Sequence, residues 1–181
     1  MAQTATIYNF EIELSHVDRG VYESLSLRVA CQPSETAEYL LTRVLAYCLE
    51  YTEGISFGKG LAEPNEPALS VRDLTGALKV WVDVGAPDAA RLHKASQACA
   101  RVVVYTHKEP RHVLPTLMGE RIHRAHALEF YSLDRGMLAD LVARLDRRMR
   151  FALSVSDDHI YVTVGEDTFE GALERHVVGA G

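Results

Sequence analysis

Residues 6–14 alternate with a period of two. Tyr8, Phe10, Ile12 and Leu14 fall on one face, and Asn9, Glu11 and Glu13 on the other. After a polar turn at residues 16–20, Leu25, Leu27 and Val29 alternate with Ser26, Arg28 and Ala30. This pattern predicts an antiparallel hairpin with one wet face. Beyond Pro33 the period lengthens to that of a helix. Leu41, Val44, Leu45 and Cys48 form a stripe, with Leu40 and Tyr47 beside it. Ser34 is placed to cap that helix, with Glu35 and Glu38 in its first turn.

Residues 69–84 read as two strands. In the second, Leu78, Val80, Val82 and Val84 face one way, and Lys79, Trp81 and Asp83 the other. Pro87 opens a short amphipathic helix running to about Cys99, with Leu92 and Ala95 inward. The unbroken apolar run from Val102 to Tyr105 predicts a strand covered on both faces, and strand–helix–strand order implies a parallel crossover. Residues 113–122 are weakly helical and 128–133 form a strand. A helix from Asp134 to about Arg148 turns Met137, Leu138, Leu141, Val142 and Leu145 inward and ends in Arg144, Arg147, Arg148 and Arg150. A second hairpin closes the pattern, with Phe151, Leu153 and Val155 leading to a turn at Asp157 and Asp158 and residues 160–164 returning. The tail from Thr168 has little pattern and is expected to fray. The expected fold class is therefore α/β: a mixed sheet flanked by helices, with antiparallel hairpins added at the N- and C-terminal ends.

Composition narrows the classes. With 181 residues and 48% of them hydrophobic, the chain reads as one domain, 1–181, able to bury a full core. A net charge of −6 argues against a bulk electrostatic grip on nucleic acid but leaves room for a local basic patch. The three cysteines, Cys31, Cys48 and Cys99, are odd in number and lack metal-type spacing, which favours a reducing compartment. No N-terminal signal pattern and no apolar run near twenty residues occurs, so the expectation is a cytoplasmic monomer without a membrane span.

Asp83, at the end of an apolar strand, is the residue that asks for chemistry. A buried carboxylate is costly unless paired or bound to a metal. A second acid, Asp73, lies ten residues upstream, and Glu38 sits one turn into a helix. If Gly76 makes a tight turn, Asp73 lies opposite Lys79, roughly 13 Å from Asp83 at about 3.3 Å per residue. If the connection is looser, or bulged, the acids converge.

Other motifs point less far. Gly58-Lys59-Gly60 lacks the spacing and flanking elements of a phosphate loop. Among the histidines at 107, 112, 123 and 126, only the last two have helical spacing, and no third zinc ligand is readable. Tyr105, Thr106 and His107 follow the carboxyl end of the central strand, where open α/β sheets bind ligands.

Asp73, followed by the strand ending Val-Trp-Val-Asp-Val-Gly, resembles the acidic signature of the PD-(D/E)XK nucleases, with the core at about residues 33–133. Pro33-Ser34-Glu35-Thr36, Phe57-Gly58-Lys59-Gly60-Leu61, Asp73-Leu74-Thr75-Gly76 and Val103-Val104-Tyr105-Thr106 together resemble the YaeQ family. These resemblances imply a restriction-endonuclease-like fold in which Glu38, Asp73 and Asp83 hold Mg²⁺ or Mn²⁺ and a lysine assists catalysis. Gly85 occupies the signature lysine position, so Lys94 is the substitute, with Glu35, Lys59 and Tyr105 as accessory residues. The implied activity is metal-dependent phosphodiester hydrolysis of DNA or RNA. The alternatives are a catalytically degenerate nuclease scaffold that binds nucleic acid or protein, and a small-molecule enzyme using the same cleft.

Overall fold

The computed structural model describes residues 4–59, 63 and 65–179. Gly60 and Leu61, which complete one of the family-like blocks, lie outside the described residues, as does the end of the tail. In chain order the elements are β1 (Thr6–His16), β2 (Val21–Cys31), α1 (Ala37–Leu49), β3 (Ile55–Phe57), β4 (Leu69–Arg72), β5 (Leu78–Val84), α2 (Ala89–Ala98), β6 (Arg101–Thr106), α3 (Pro110–Leu117), β7 (Glu129–Leu133), α4 (Arg135–Ala143), β8 (Arg148–Ser156), β9 (His159–Val164) and β10 (Asp167–His176).

All ten strands join one mixed sheet in the order β2-β1-β8-β9-β10-β7-β6-β5-β4-β3. The sheet curves, barrel-like, around α1. This overturns the restriction-endonuclease-like architecture expected from sequence. The terminal hairpins are not additions to a compact helix-flanked sheet. They form four of the ten strands of a continuous one, because β1 pairs in parallel with β8 from Asn9↔Arg148 to His16↔Val155.

The core follows from that curvature. Alternating residues Phe10, Ile12 and Leu14 of β1 and Phe151, Leu153 and Val155 of β8 point inward. They meet Leu40, Leu41, Val44 and Leu45 of α1, which is buried on almost every face. Arg43 lies within this helix at 1% exposure. Its guanidinium donates to the Ala30 carbonyl of β2 (2.7 Å), pairs with Glu35 (3.3 Å) and lies over the Phe57 ring of β3. The two edge strands of the sheet are thereby tied to one side chain. A second cluster, built from Leu92, Ala95, Val104, Val113, Leu117 and Phe130, packs α2 and α3 against the outer face of β6 and β7.

Three further expectations change. Thr36, not Ser34, caps α1, its hydroxyl accepting from the Tyr39 amide, so Glu35 lies outside the helix. The last helix ends at Ala143, and Arg148 and Arg150 belong to β8, where alternation through Met149, Phe151 and Leu153 wins over helical periodicity. The tail does not fray: residues 167–176 form β10, pairing with β9 on one side and β7 on the other. Gly171 is required there, since a Cβ would stand 2.2 Å from the Cβ of Asp134.

Candidate functional site: a cleft where four helices begin

Strands β5, β6 and β7 are mutually parallel. Each runs directly into a helix, so α2, α3 and α4 all begin at the same end of the sheet. This is the carboxyl end, where α/β sheets place ligands. The first turn of α1 reaches the same place. A cleft of about 850 Å³ opens between the four helix starts, lined by Thr36 and Glu38 of α1, Asp88 before α2, Lys108, Glu109 and His112 around α3, and Arg135 of α4. An inner recess of about 470 Å³ shares Thr36, Asp88, His107 and Lys108 and extends to Tyr39, Asp83 and Arg91.

Helix N-termini present unpaired amides and a positive dipole end, which together favour an anion. Three of these ends are capped by side chains: Thr36 accepts from Tyr39, Asp88 from Arg91, and Asp134 from Met137. No side chain caps α3. Among the charged residues, Glu109 is engaged by Arg135 (3.5 Å). Lys108 and His112 have no ion pair among the described residues.

His107 is the titratable group at the centre. Its ring packs edge-on against Tyr39 at 6.3 Å, and its Nδ1 is buried without a hydrogen-bond partner among the described residues. Burial first, and Lys108 second, push its pKa below the usual histidine value. The imidazole is therefore neutral at neutral pH. A buried nitrogen without an acceptor is least costly as a bare lone pair, which assigns the ring proton to Nε2. Burial likewise pushes the Tyr39 phenol up to about 12, so it stays protonated.

The acids named from sequence do not converge. Asp83 is 2% exposed, and Arg91 holds it through two bonds, Nε to Oδ2 and Nη2 to Oδ1, each 2.9 Å. The same guanidinium lies over the Trp81 ring. Asp73 sits in a tight turn, accepting from the amides of Thr75 and Ala77, with Lys79 at 3.5 Å. Those contacts, led by the Thr75 hydroxyl, hold its pKa down at about 2. With Arg72 opposite Leu78 in register and the Asp73 amide donating to the Ala77 carbonyl, Asp73 lies six residues, roughly 20 Å, from Asp83 along the strand, farther than the tight-turn expectation. Glu38 is exposed at the cleft mouth, not on the inward stripe.

Lys94 is exposed on α2, one turn beyond the arginine that occupies Asp83. Gly85, at the signature lysine position, has a φ of 90°, a left-handed conformation that disfavours a lysine there. Glu35 is committed to Arg43. Lys59 is exposed beyond β3. Tyr105 is buried, and its hydroxyl donates to Glu50 (2.6 Å). Glu50 in turn binds Arg101, which also grips Glu129. Among the described residues no group of three or more His, Cys, Asp and Glu could hold a metal ion. With Asp83 occupied by Arg91 and Asp73 remote, the residues present do not fit the implied Mg²⁺ or Mn²⁺ site.

Sequence reasoning reached His107 by its position after β6 but missed Arg91, Lys108, His112 and Arg135 as a set. The available signal was topological: three parallel strands, each followed at once by a helix, bring those residues to one end.

Fold and site together define a protein built on one curved, barrel-like ten-stranded mixed sheet, with a cleft at the carboxyl ends of its three parallel strands β5, β6 and β7. The chain belongs to the YaeQ protein family, whose pattern it matches over residues 1–173. It is similar to the crystal structure of the YaeQ protein from Pseudomonas syringae, with a TM-score of 0.86 and 31% identity over 96% of this chain and 97% of that one. It is also similar to the YaeQ protein from Xanthomonas axonopodis pv. citri, with a TM-score of 0.82 and 30% identity over 97% and 100%. The relative from Escherichia coli (strain K12), named Uncharacterized protein YaeQ, is 28% identical over 171 residues, 94% of each chain. Among the described residues no helix is long and apolar enough to cross a membrane.

Proposed function

We propose that the protein is a binding module whose cleft takes a small ligand bearing a phosphate or carboxylate group, and that it does not cut phosphodiesters by a metal-dependent route. The observation that carries this reading is the convergence of four helix N-termini on one cleft. Side chains support it. Lys108 supplies a cation with no ion pair among the described residues, Arg135 adds one shared with Glu109, His112 and the Nε2–H of His107 supply donors, and α3 begins without a side-chain cap. Metal-dependent cleavage would need carboxylates gathered round a divalent ion. Asp83 is already neutralised by an arginine, and Asp73 is engaged in its own turn.

Inorganic phosphate and a nucleoside 5′-monophosphate serve as probes, followed by amide chemical shifts in NMR. Shifts should concentrate at residues 36–39, 88–91, 109–112 and 135–138, and Lys108→Ala should weaken binding by about tenfold, the loss of one charge-assisted hydrogen bond. Shifts scattered elsewhere would overturn the reading. So would Mn²⁺-dependent cutting of DNA or RNA that Asp83→Asn abolishes.

A further inference from the structure

On the outer face of the sheet three arginines gather around one asparagine, none of them lining the cleft. Asn9 of β1 is in direct register with Arg28 of β2 on one side and with Arg148 of β8 on the other. Glu11, two residues along β1, is in register with Arg150. Because side chains alternate, Asn9, Glu11, Arg28, Arg148 and Arg150 all point outward, and all are exposed. They line a depression of about 580 Å³.

Three arginines face a single carboxylate in this depression, so it carries an excess of positive charge. Arg28, Arg148 and Arg150 form no ion pair among the described residues, although the protein carries a net charge of −6. Glu11 is the one acid lining it, and it is engaged by the Ser26 hydroxyl at 2.7 Å. Three guanidiniums on adjacent strands with one carboxylate among them leave this face net positive on an acidic protein. The spacing suits a repeating anion. Arg28 and Arg148 are two strand intervals apart, about 10 Å, and Arg148 and Arg150 about 7 Å along β8. Guanidiniums at such separations can each engage a different phosphate, with the Asn9 amide donating between them.

We infer that this face of β2, β1 and β8 is a docking surface for the phosphodiester backbone of a nucleic acid, held through phosphates without reading bases. Charge complementarity argues for this occupant, since the patch is cationic and polar, and its one apolar lining residue, Met149, is buried. The site is separate from the cleft and does not depend on what the cleft binds.

The test is fluorescence anisotropy with labelled single-stranded and duplex oligonucleotides over a series of salt concentrations. Wild-type protein should bind, with affinity falling as salt rises. The triple variant Arg28→Ala/Arg148→Ala/Arg150→Ala should bind at least tenfold more weakly. Its log–log salt slope on single strands should flatten by about 2, because each phosphate that an arginine neutralises adds about 0.7 to that slope. All three positions are exposed, so its melting temperature should stay within a few degrees of wild type. Arg28→Lys/Arg148→Lys/Arg150→Lys keeps the charge and should retain most of the salt slope even if the triple alanine variant fails to fold. No binding by wild type, or binding by a folded alanine variant with unchanged affinity and slope, would overturn the inference. Binding to anionic lipid vesicles without binding to oligonucleotides would overturn it as well.

Discussion

Arg91 closes on Asp83 with both a side-on and an end-on nitrogen, each 2.9 Å from its own carboxylate oxygen, at the inner wall of the cleft. Paired forks of this kind fix geometry as well as charge. The acid that looks most catalytic in the sequence is thus a structural anchor between β5 and the first turn of α2.

Removing the arginine should therefore cost more than removing both partners. Arg91→Ala leaves an almost fully buried carboxylate unpaired, and urea denaturation should show a loss of about 3 kcal/mol. The double variant Asp83→Asn/Arg91→Ala should recover part of that. A single variant as stable as wild type would show that water, not Arg91, satisfies Asp83.

Arg43 offers the same logic deeper in the protein. Its side chain is 2% exposed and faces a Glu35 side chain at 0%, and its Nε has no hydrogen-bond partner among the described residues. Arg43→Ala should lose about 3–5 kcal/mol in a denaturation experiment, because it removes the cation facing a fully buried Glu35 carboxylate and unties β2 from α1. Replacing both, as Glu35→Gln/Arg43→Met, should be far milder, since an apolar side chain of similar length suits this core.

Acid should weaken the fold through His16 and His107. Burial lowers the folded-state pKa of each. The unfolded chain then takes up protons first, near the usual histidine value of about 6.5. Their contribution is fully present above that pH and is lost as pH falls through about 6.5 toward the depressed folded values. Thermal melts between pH 8 and pH 5 should show this decline, and His107→Gln should flatten it.

At Asp73 the expected observable is a titration. Carbon-detected NMR should place its carboxyl at about 2, and millimolar Mg²⁺ should leave that value in place. A strong Mg²⁺-dependent shift would put a metal at this turn after all.

Tyr105→Phe should cost about 1–3 kcal/mol, because Glu50 loses a short bond and remains buried. Phosphate binding at the cleft should be unchanged, which separates this tyrosine from the site beyond its own strand.

Much of the fold is legible because burial writes itself into side-chain patterns. The alternation of β1 and β2 and the unbroken apolar run of β6 gave their positions directly, and the parallel pairing of β5 with β6 followed from the helix between them. β10 left no such trace. Of its ten residues only Gly171 is buried, with Phe169 and Leu173 half-buried against the core, so backbone pairing on both sides, to which hydrophobic periodicity is blind, sets its place. The joining of the hairpins into one sheet, and hence the true architecture, depends on that strand and on the β1–β8 pairing. At the site, Asp83 stood out as an acid in an apolar strand. Its partner did not, because the packing of α2 decides whether Arg91 or Lys94, one turn apart, faces the strand.

The parallel pairing of β1 with β8 also constrains how the chain is made. The first hairpin leaves the ribosome early, with Phe10, Ile12 and Leu14 on one face and one edge of β1 open. Its missing neighbour ends only at Ser156. With about 125 residues still to be translated after β2, at about 5–20 residues per second, that edge stays open for roughly 6 to 25 s. During that interval a nascent chain exposes an apolar face and an unpaired strand, the state that chaperones bind and that other nascent chains can join.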